Sequence, residues 1–190
     1  MTNSYCQCWN CSYSHKSFRF FCKQCNIIQK PVELDAFKIF GLKYKFLINE
    51  DKLEAQYYAL LSQLHPDKFI NKTEKEKLYS QIHSSNLNVS YNILVNIISR
   101  ANELLKYFGM DINANESFND KNILNEIMEL QDEKENLKTS LEHVNFKKKI
   151  ENYLEFLIKN LNQMFCNKNI IEANKVKIKI SYLNKIINNI

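Results

Sequence analysis

A chain of 190 residues that holds only two glycines, Gly41 and Gly109, and two prolines, Pro31 and Pro66, has almost no turn punctuation. Hairpin-rich folds need Gly, Asn-Gly or Asp-Gly at short and regular intervals. Their scarcity predicts a mainly α protein and excludes an all-β fold, a Gly-rich phosphate loop and a G-x-G-x-x-G dinucleotide site. The length suits one ordinary core or two small ones, and 45% hydrophobic with 25% charged residues is the balance of a soluble globular chain. No apolar run approaches the ~18 residues of a membrane span. The start, Met-Thr-Asn-Ser-Tyr-Cys, carries neither a secretory apolar segment nor an Arg-rich presequence. The expectation is therefore a soluble chain with no membrane partner.

Net charge is +5, and all basic residues except Arg19 and Arg100 are lysines. These lysines alternate with acids instead of forming one block, the pattern of solvated helix surfaces rather than of a nucleic-acid footprint. No nucleic-acid partner is expected.

Five of six cysteines fall in the first 25 residues: Cys6, Cys8, Cys11, Cys22 and Cys25. Cys8-Trp9-Asn10-Cys11 and Cys22-Lys23-Gln24-Cys25 are two C-x-x-C units, and two such turns facing each other supply four thiolates in a closed tetrahedron. That predicts one structural zinc ion held by Cys8, Cys11, Cys22 and Cys25, with iron next, because four-sulfur sites accept both. A redox pair needs only one C-x-x-C, and disulfides need a secretory context. Cys6 is left spare, and Cys166 reads as a small core hydrophobe. The aromatics Trp9, Tyr13, Phe18, Phe20 and Phe21 read as the miniature core of the module rather than a stacking face.

From Leu34 the periodicity is helical. Asp35 to Phe40 with Gly41 forms a short helix and its stop. Asn49 caps a helix whose apolar stripe is Leu53, Tyr57, Leu60, Leu61 and Leu64, ended by His65-Pro66. Thr73 and Glu76 form a capping box opening a longer helix, with Leu78, Ile82, Val89, Ile93 and Ile97 as its stripe. The two helices should pack antiparallel. Met110 to Asn119 reads as a linker. Beyond it three antiparallel helices form a bundle, with breaks near Leu141 to Phe146 and Asn167 to Asn169. Glu126, Glu129, Asp132, Glu133 and Glu135 crowd one helix around Leu124 and Met128, by composition a solvated face.

A His65-Pro66-Asp67-Lys68-Phe69 loop between antiparallel helices resembles the signature of J-domains. Phe37-x-x-Phe40-Gly41-Leu42, Ser84-Ser85-x-x-Asn88-x-x-Tyr91-x-x-Leu94 and Arg100-Ala101-x-x-Leu104-Leu105-x-x-x-Gly109 extend the likeness. With Cys-Trp-Asn-Cys and Phe-Phe-Cys-x-x-Cys-x-x-x-Gln at the start, nearly the whole chain resembles the HscB (Jac-type) co-chaperones of iron–sulfur cluster biogenesis that carry a zinc module. The resemblance implies an L-shaped protein with a four-cysteine zinc module at 1–30, a helical-hairpin J-domain at 31–110 and a C-terminal three-helix bundle at 118–190. It implies that His65, Pro66, Asp67 and Lys68 meet a heat-shock-seventy-class (HscA/DnaK-type) chaperone and stimulate its ATPase. It further implies that Leu124, Met128, Glu129, Asp132 and Tyr182 hold an IscU-type iron–sulfur scaffold protein. The chain itself would not be an enzyme: no nucleophile or metal ligand accompanies the tripeptide. The compartment implied is a bacterial cytoplasm, or the mitochondrial matrix in a eukaryote. A general J-protein for unfolded clients and a zinc-ribbon nucleic-acid binder are the alternatives. Leu53 to Leu64 contains none of the Lys and Arg that J-domains usually place along this helix, leaving Lys52 and Lys68 with Lys43 and Lys45 nearby.

Overall fold

The computed structural model describes residues 6–110 and 120–189; the expected linker lies outside them apart from Met110, and so does the side chain of Cys6. The chain is mainly helical, as expected, with a cysteine cluster at its N-terminus. It divides into two compact units: residues up to 43 with 49–95, and residues 44–48 with 96–190.

The first unit opens with two short strands, β1 (Cys6–Gln7) and β2 (Ser14–His15), paired antiparallel with Gln7 opposite Ser14. Fourteen residues later the same geometry returns: Phe21 bridges Ile28, just as Gln7 pairs with Ser14. Helix α1 (Ala36–Ile39) is capped by the Asp35 carboxylate and stopped at Gly41, whose φ of +62° favours glycine. Helix α2 (Glu50–Leu64) starts where Asn49 Oδ1 accepts from Lys52 N at 2.8 Å. The expected stripe is inward: Leu53 and Leu64 are buried, and Tyr57, Leu60 and Leu61 half-buried. Pro66–Phe69 forms a single 3₁₀ turn, and α3 (Glu74–Val95) follows. Its capping box is present, Thr73 N and Oγ1 donating to Glu76 Oε2 at 3.0 and 2.8 Å. Helices α2 and α3 are antiparallel, since Leu64 meets Ser80 and Ser84 while Tyr57 stacks on Tyr91.

The stripe read for α3 is corrected. Leu78 and Val89 are more than half exposed and Ile82 is also exposed; the buried face is Glu76, Ser80, His83, Ser84, Leu87, Ser90 and Leu94. Polar residues occupy this face because they have partners there. Ser80 Oγ and Ser84 Oγ both donate to the Leu64 carbonyl, at 2.6 and 2.9 Å. That carbonyl ends α2 and has no partner within its own helix. The helix also stops before Ile97: Asn96 takes extended φ/ψ and its side chain caps a new helix, α4 (Ile97–Tyr107).

In the second unit α4 is joined by α5 (Lys121–Glu135), α6 (Ser140–Cys166) and α7 (Ile170–Ile187). Three bundle helices are found where three were expected. The first break lies at 136–139 rather than in Leu141 to Phe146, because Thr139 and Glu142 make a reciprocal capping box that starts α6 earlier. The second falls at Asn167 to Asn169 as expected, with Asn169 capping α7. Ile127, Leu130, Ile150, Leu157, Leu161, Ala173, Ile180 and Leu183 are among the buried residues of this core. A polar brace ties the three helices. Tyr153 Oη donates to Glu126 Oε1 at 2.6 Å, Lys179 Nζ donates to Tyr153 Oη at 2.6 Å, and Lys179 pairs with Glu126 at 2.5 Å. Cys166 is exposed, so its reading as a core residue fails: Phe165 beside it takes the inward position.

Candidate metal centre and docking surfaces

Each C-x-x-C sits in a tight turn that the backbone prescribes. Cys8 N donates to Tyr13 O (2.8 Å) and Ser12 N to Cys8 O (3.0 Å). Fourteen residues on, Cys22 N donates to Ile27 O (2.9 Å) and Asn26 N to Cys22 O (3.0 Å). The residue after each second cysteine is left-handed, Ser12 at φ +62° and Asn26 at +54°. The turns face one another, and the Cys8, Cys11, Cys22 and Cys25 sulfurs all lie within 4.8 Å of each other. Cys8 Sγ is 3.7 Å from Cys25 Sγ, and Cys11 Sγ 3.7 Å from Cys22 Sγ. These spacings fit a metal: sulfurs at a Zn–S distance of ~2.3 Å on a tetrahedron stand about 3.8 Å apart. They are far too long for disulfides.

The thiols differ sharply in acidity. Burial pushes Cys8 up, but the amides of Cys11 and Asn10 and the Gln29 side chain outweigh it and bring it to about 6. Cys11 is pushed up to about 12: the Tyr13 amide lowers it, yet burial and the neighbouring sulfurs of Cys25, Cys8 and Cys22 prevail. Cys25 is lowered, chiefly by the Ile27 amide. Four sulfurs so close resist joint ionisation unless a cation sits among them, so a divalent metal would resolve the conflict.

The aromatics do not form a miniature core: none of Trp9, Tyr13, Phe18, Phe20 and Phe21 is buried. The buried residues of the module are Cys8, His15, Cys22, Ile28 and Gln29. The rings instead hold it against α3. Trp9 meets Tyr79 edge-on with Lys75 Nζ 4.3 Å above its ring, while Phe18 and Phe20 pack around His83. His83 Nε2 donates to the Gln29 carbonyl at 2.9 Å, and Gln29 Nε2 reaches Cys8 Sγ at 3.4 Å. Gln29 therefore links α3, through its backbone carbonyl, to one sulfur, through its side-chain amide. Sequence reading missed His83, because apolar periodicity cannot flag a buried histidine.

His65, Asp67 and Lys68 are exposed and Pro66 half-buried, at the turn of the α2–α3 hairpin. His65 Nδ1 accepts from Asp67 N at 3.3 Å and lies 3.5 Å from Asp67 Oδ2. Phe69 is buried and anchors the turn, and Lys68 N donates to His65 O at 3.0 Å.

On α5, Leu124, Met128, Glu129 and Asp132 are all exposed, Met128 by 60%, while Ile127 and Leu130 face the core. The acids of this helix divide in two. Glu126 belongs to the Tyr153–Lys179 brace and Glu133 pairs with Lys149 at 2.6 Å, whereas Glu129 and Asp132 make no ion pair among the described residues. Tyr182 is half-buried on the side of α7 that shares a groove with Ile98 and Asn102 of α4, and Lys185 Nζ stands 5.3 Å from its ring.

Residues 119–190 match the HSCB C-terminal oligomerisation domain. Over 127 residues the chain is 38% identical to the iron–sulfur cluster co-chaperone protein HscB homolog of Arabidopsis thaliana, an overlap of 66% of this chain and 49% of that protein. Over 135 residues it is 33% identical to human iron–sulfur cluster co-chaperone protein HscB, covering 68% and 57%. The chain thus spans about half the length of these curated relatives. Among solved structures, human co-chaperone HscB superposes with a TM-score of 0.87 at 27% identity over 96% of this chain and 95% of that one. Chaperone HscB from Vibrio cholerae gives 0.74 at 25% identity, over 82% and 94%. A helical hairpin turning through His-Pro-Asp and, on the same chain, a three-helix bundle are the features this chain shares with those co-chaperones. The chain resembles HscB-type iron–sulfur cluster co-chaperones, and residues 119–190 carry the C-terminal domain of that family. No helix among the described residues is long and apolar enough to cross a membrane.

Proposed function

We propose that the protein binds an IscU-type iron–sulfur scaffold through its bundle, delivers it to a heat-shock-seventy-class chaperone of the HscA/DnaK type and stimulates that chaperone's ATPase. The domains would be a zinc module at 1–30, a J-domain at 31–110 and a scaffold-binding bundle at 118–190. The observation that carries the reading is the exposed His65-Pro66-Asp67 turn, held by Phe69 and the Leu64 carbonyl on a hairpin of the family fold. In this role the tripeptide presents a fixed backbone, one carboxylate and one imidazole to a partner groove; it transfers no proton. Leu124 and Met128 supply an apolar centre, and Glu129 and Asp132, which make no ion pair among the described residues, a carboxylate rim, suited to a transient partner with basic residues. Tyr182 would complete the surface. Zinc, held by Cys8, Cys11, Cys22 and Cys25, would be structural, since four thiolates leave no open position for chemistry.

Calorimetric titration with an iron–sulfur scaffold tests the bundle, and steady-state ATP hydrolysis by the chaperone tests the loop. Micromolar-range scaffold binding that disappears in Met128→Ala/Tyr182→Ala, with ATPase stimulation lost in His65→Gln, supports the reading. Absence of scaffold binding with stimulation intact would assign the hairpin to general clients.

A further inference from the structure

The second unit contains a groove of about 560 Å³ that no part of the co-chaperone role uses. Its walls are Tyr44, Leu47, Leu104, Phe108 and Phe165, and its rim carries Lys45, Lys168 and the Cys166 thiol. The volume falls within the range of small-molecule sites, and the apolar lining is of the usual kind. The walls are preformed. Tyr44 stacks on Tyr107 at 3.7 Å, and Phe165 stacks on both Phe46 (5.5 Å) and Phe108 (6.4 Å).

Two features of the rim select a ligand. Its only charged members among the described residues are the two lysines, neither of which forms an ion pair there, and no carboxylate lines the groove. Lys168 also occupies a left-handed position, φ +56°, after the end of α6. Its amide donates to Phe165 O (3.1 Å) and Asn169 N donates to Met164 O (2.9 Å), the closing pattern at which glycine is the unstrained residue. A lysine there places a cation at the mouth of the groove against local backbone preference.

We infer that this groove binds a small amphipathic carboxylate, a free acyl chain whose apolar body lies between Phe108, Phe165, Leu104 and Leu47 and whose carboxylate is met by Lys45 and Lys168. Charge complementarity is the reason for choosing a carboxylate over a neutral or cationic amphiphile.

Cys166 gives a reporter at the site. Its alkylation by iodoacetamide in the intact protein, resolved from the other cysteines by peptide mass spectrometry, is measured with decanoate below its micellar concentration and with decyltrimethylammonium as the opposite-charge control. Decanoate should slow alkylation by roughly fivefold, the consequence of about four-fifths occupancy, and the ammonium should not. Lys45→Glu/Lys168→Glu should abolish the protection. Lys168→Gly, which relieves the left-handed backbone, should weaken protection while leaving thermal stability equal or higher, so that a binding defect is told apart from misfolding. Equal protection by both amphiphiles, or by the wild type and the charge-reversed variant, would overturn the proposal. So would shielding of Cys166 that grows with protein concentration in the absence of decanoate, which would mean that a second copy of the chain covers the groove.

Discussion

The cysteine module and the three-helix bundle are two ways of specifying a structure. The module draws its convergence from four sulfurs and two repeated turns, with few buried side chains of its own. The bundle distributes its specification over a row of Ile, Leu and Phe residues along three helices, reinforced by one polar brace. A segment as short as the module cannot bury enough apolar surface to fold by itself, so its stability is concentrated at one point. The bundle's stability has no such point. Damage to the two should therefore differ in kind as well as size.

The largest expected effect is metal removal. Chelation, or Cys22→Ser, should abolish amide protection throughout residues 7–29 while protection in α6 and α7 persists; hydrogen exchange read by mass spectrometry checks both halves. Metal binding at such sites carries on the order of 10 kcal/mol, so partial loss of protection would count against a structural role. Next, Ile150→Ala should destabilise the bundle by about 2–5 kcal/mol in denaturant melts, without releasing metal. Third, Ser80→Ala/Ser84→Ala strips the Leu64 carbonyl of both hydroxyl partners and should lower stability of the hairpin by about 1–3 kcal/mol, with ATPase stimulation declining alongside. Fourth, Met128→Ala should change stability by less than ~0.5 kcal/mol, since its side chain is exposed, and yet weaken scaffold binding in calorimetry.

The smallest effect sharpens the comparison through pH. Burial lowers the pKa of His83 below its ordinary 6.5, against the opposing hydrogen bond to Gln29. The unfolded chain therefore takes up a proton at a higher pH than the folded one. Stability from this group is complete above about 6.5 and is lost as pH falls below it. Metal-saturated wild type should lose stability as pH falls below 6.5, and His83→Gln should show a flatter profile over that window in urea melts.

Much of this architecture was legible in the chain because its signals are local. Asn49, Thr73 with Glu76, and His65-Pro66 mark helix ends through bonds made within four residues, and all three stand where expected. The two C-x-x-C units pointed to the sulfur cluster for the same reason. The inward face of α3 was not legible, because Ser80, Ser84 and His83 are buried by partners that lie sixteen, twenty and fifty-four residues away. Apolar periodicity then pointed to Leu78, Ile82 and Val89, which face outward. Thr139 shows a subtler failure. Its capping box with Glu142 was present in the sequence, but the apolar period running through Leu137 and Leu141 hid it. At the candidate scaffold surface the acids read as one group along the chain, and only their partners separate Glu126 and Glu133 from Glu129 and Asp132.

The position of Trp9 makes the chain its own instrument. It is the sole tryptophan, lies between two of the cluster's cysteines, donates its indole N–H to the Ile28 carbonyl at 2.8 Å and rests against Tyr79. Intrinsic emission excited at the red edge therefore comes from the module alone and is silent about the bundle. A shift in that emission during a chelator titration times the opening of the cysteine turns, while circular dichroism, dominated by the helices, times everything else. The interval between the two signals measures how independently the two kinds of stability are held.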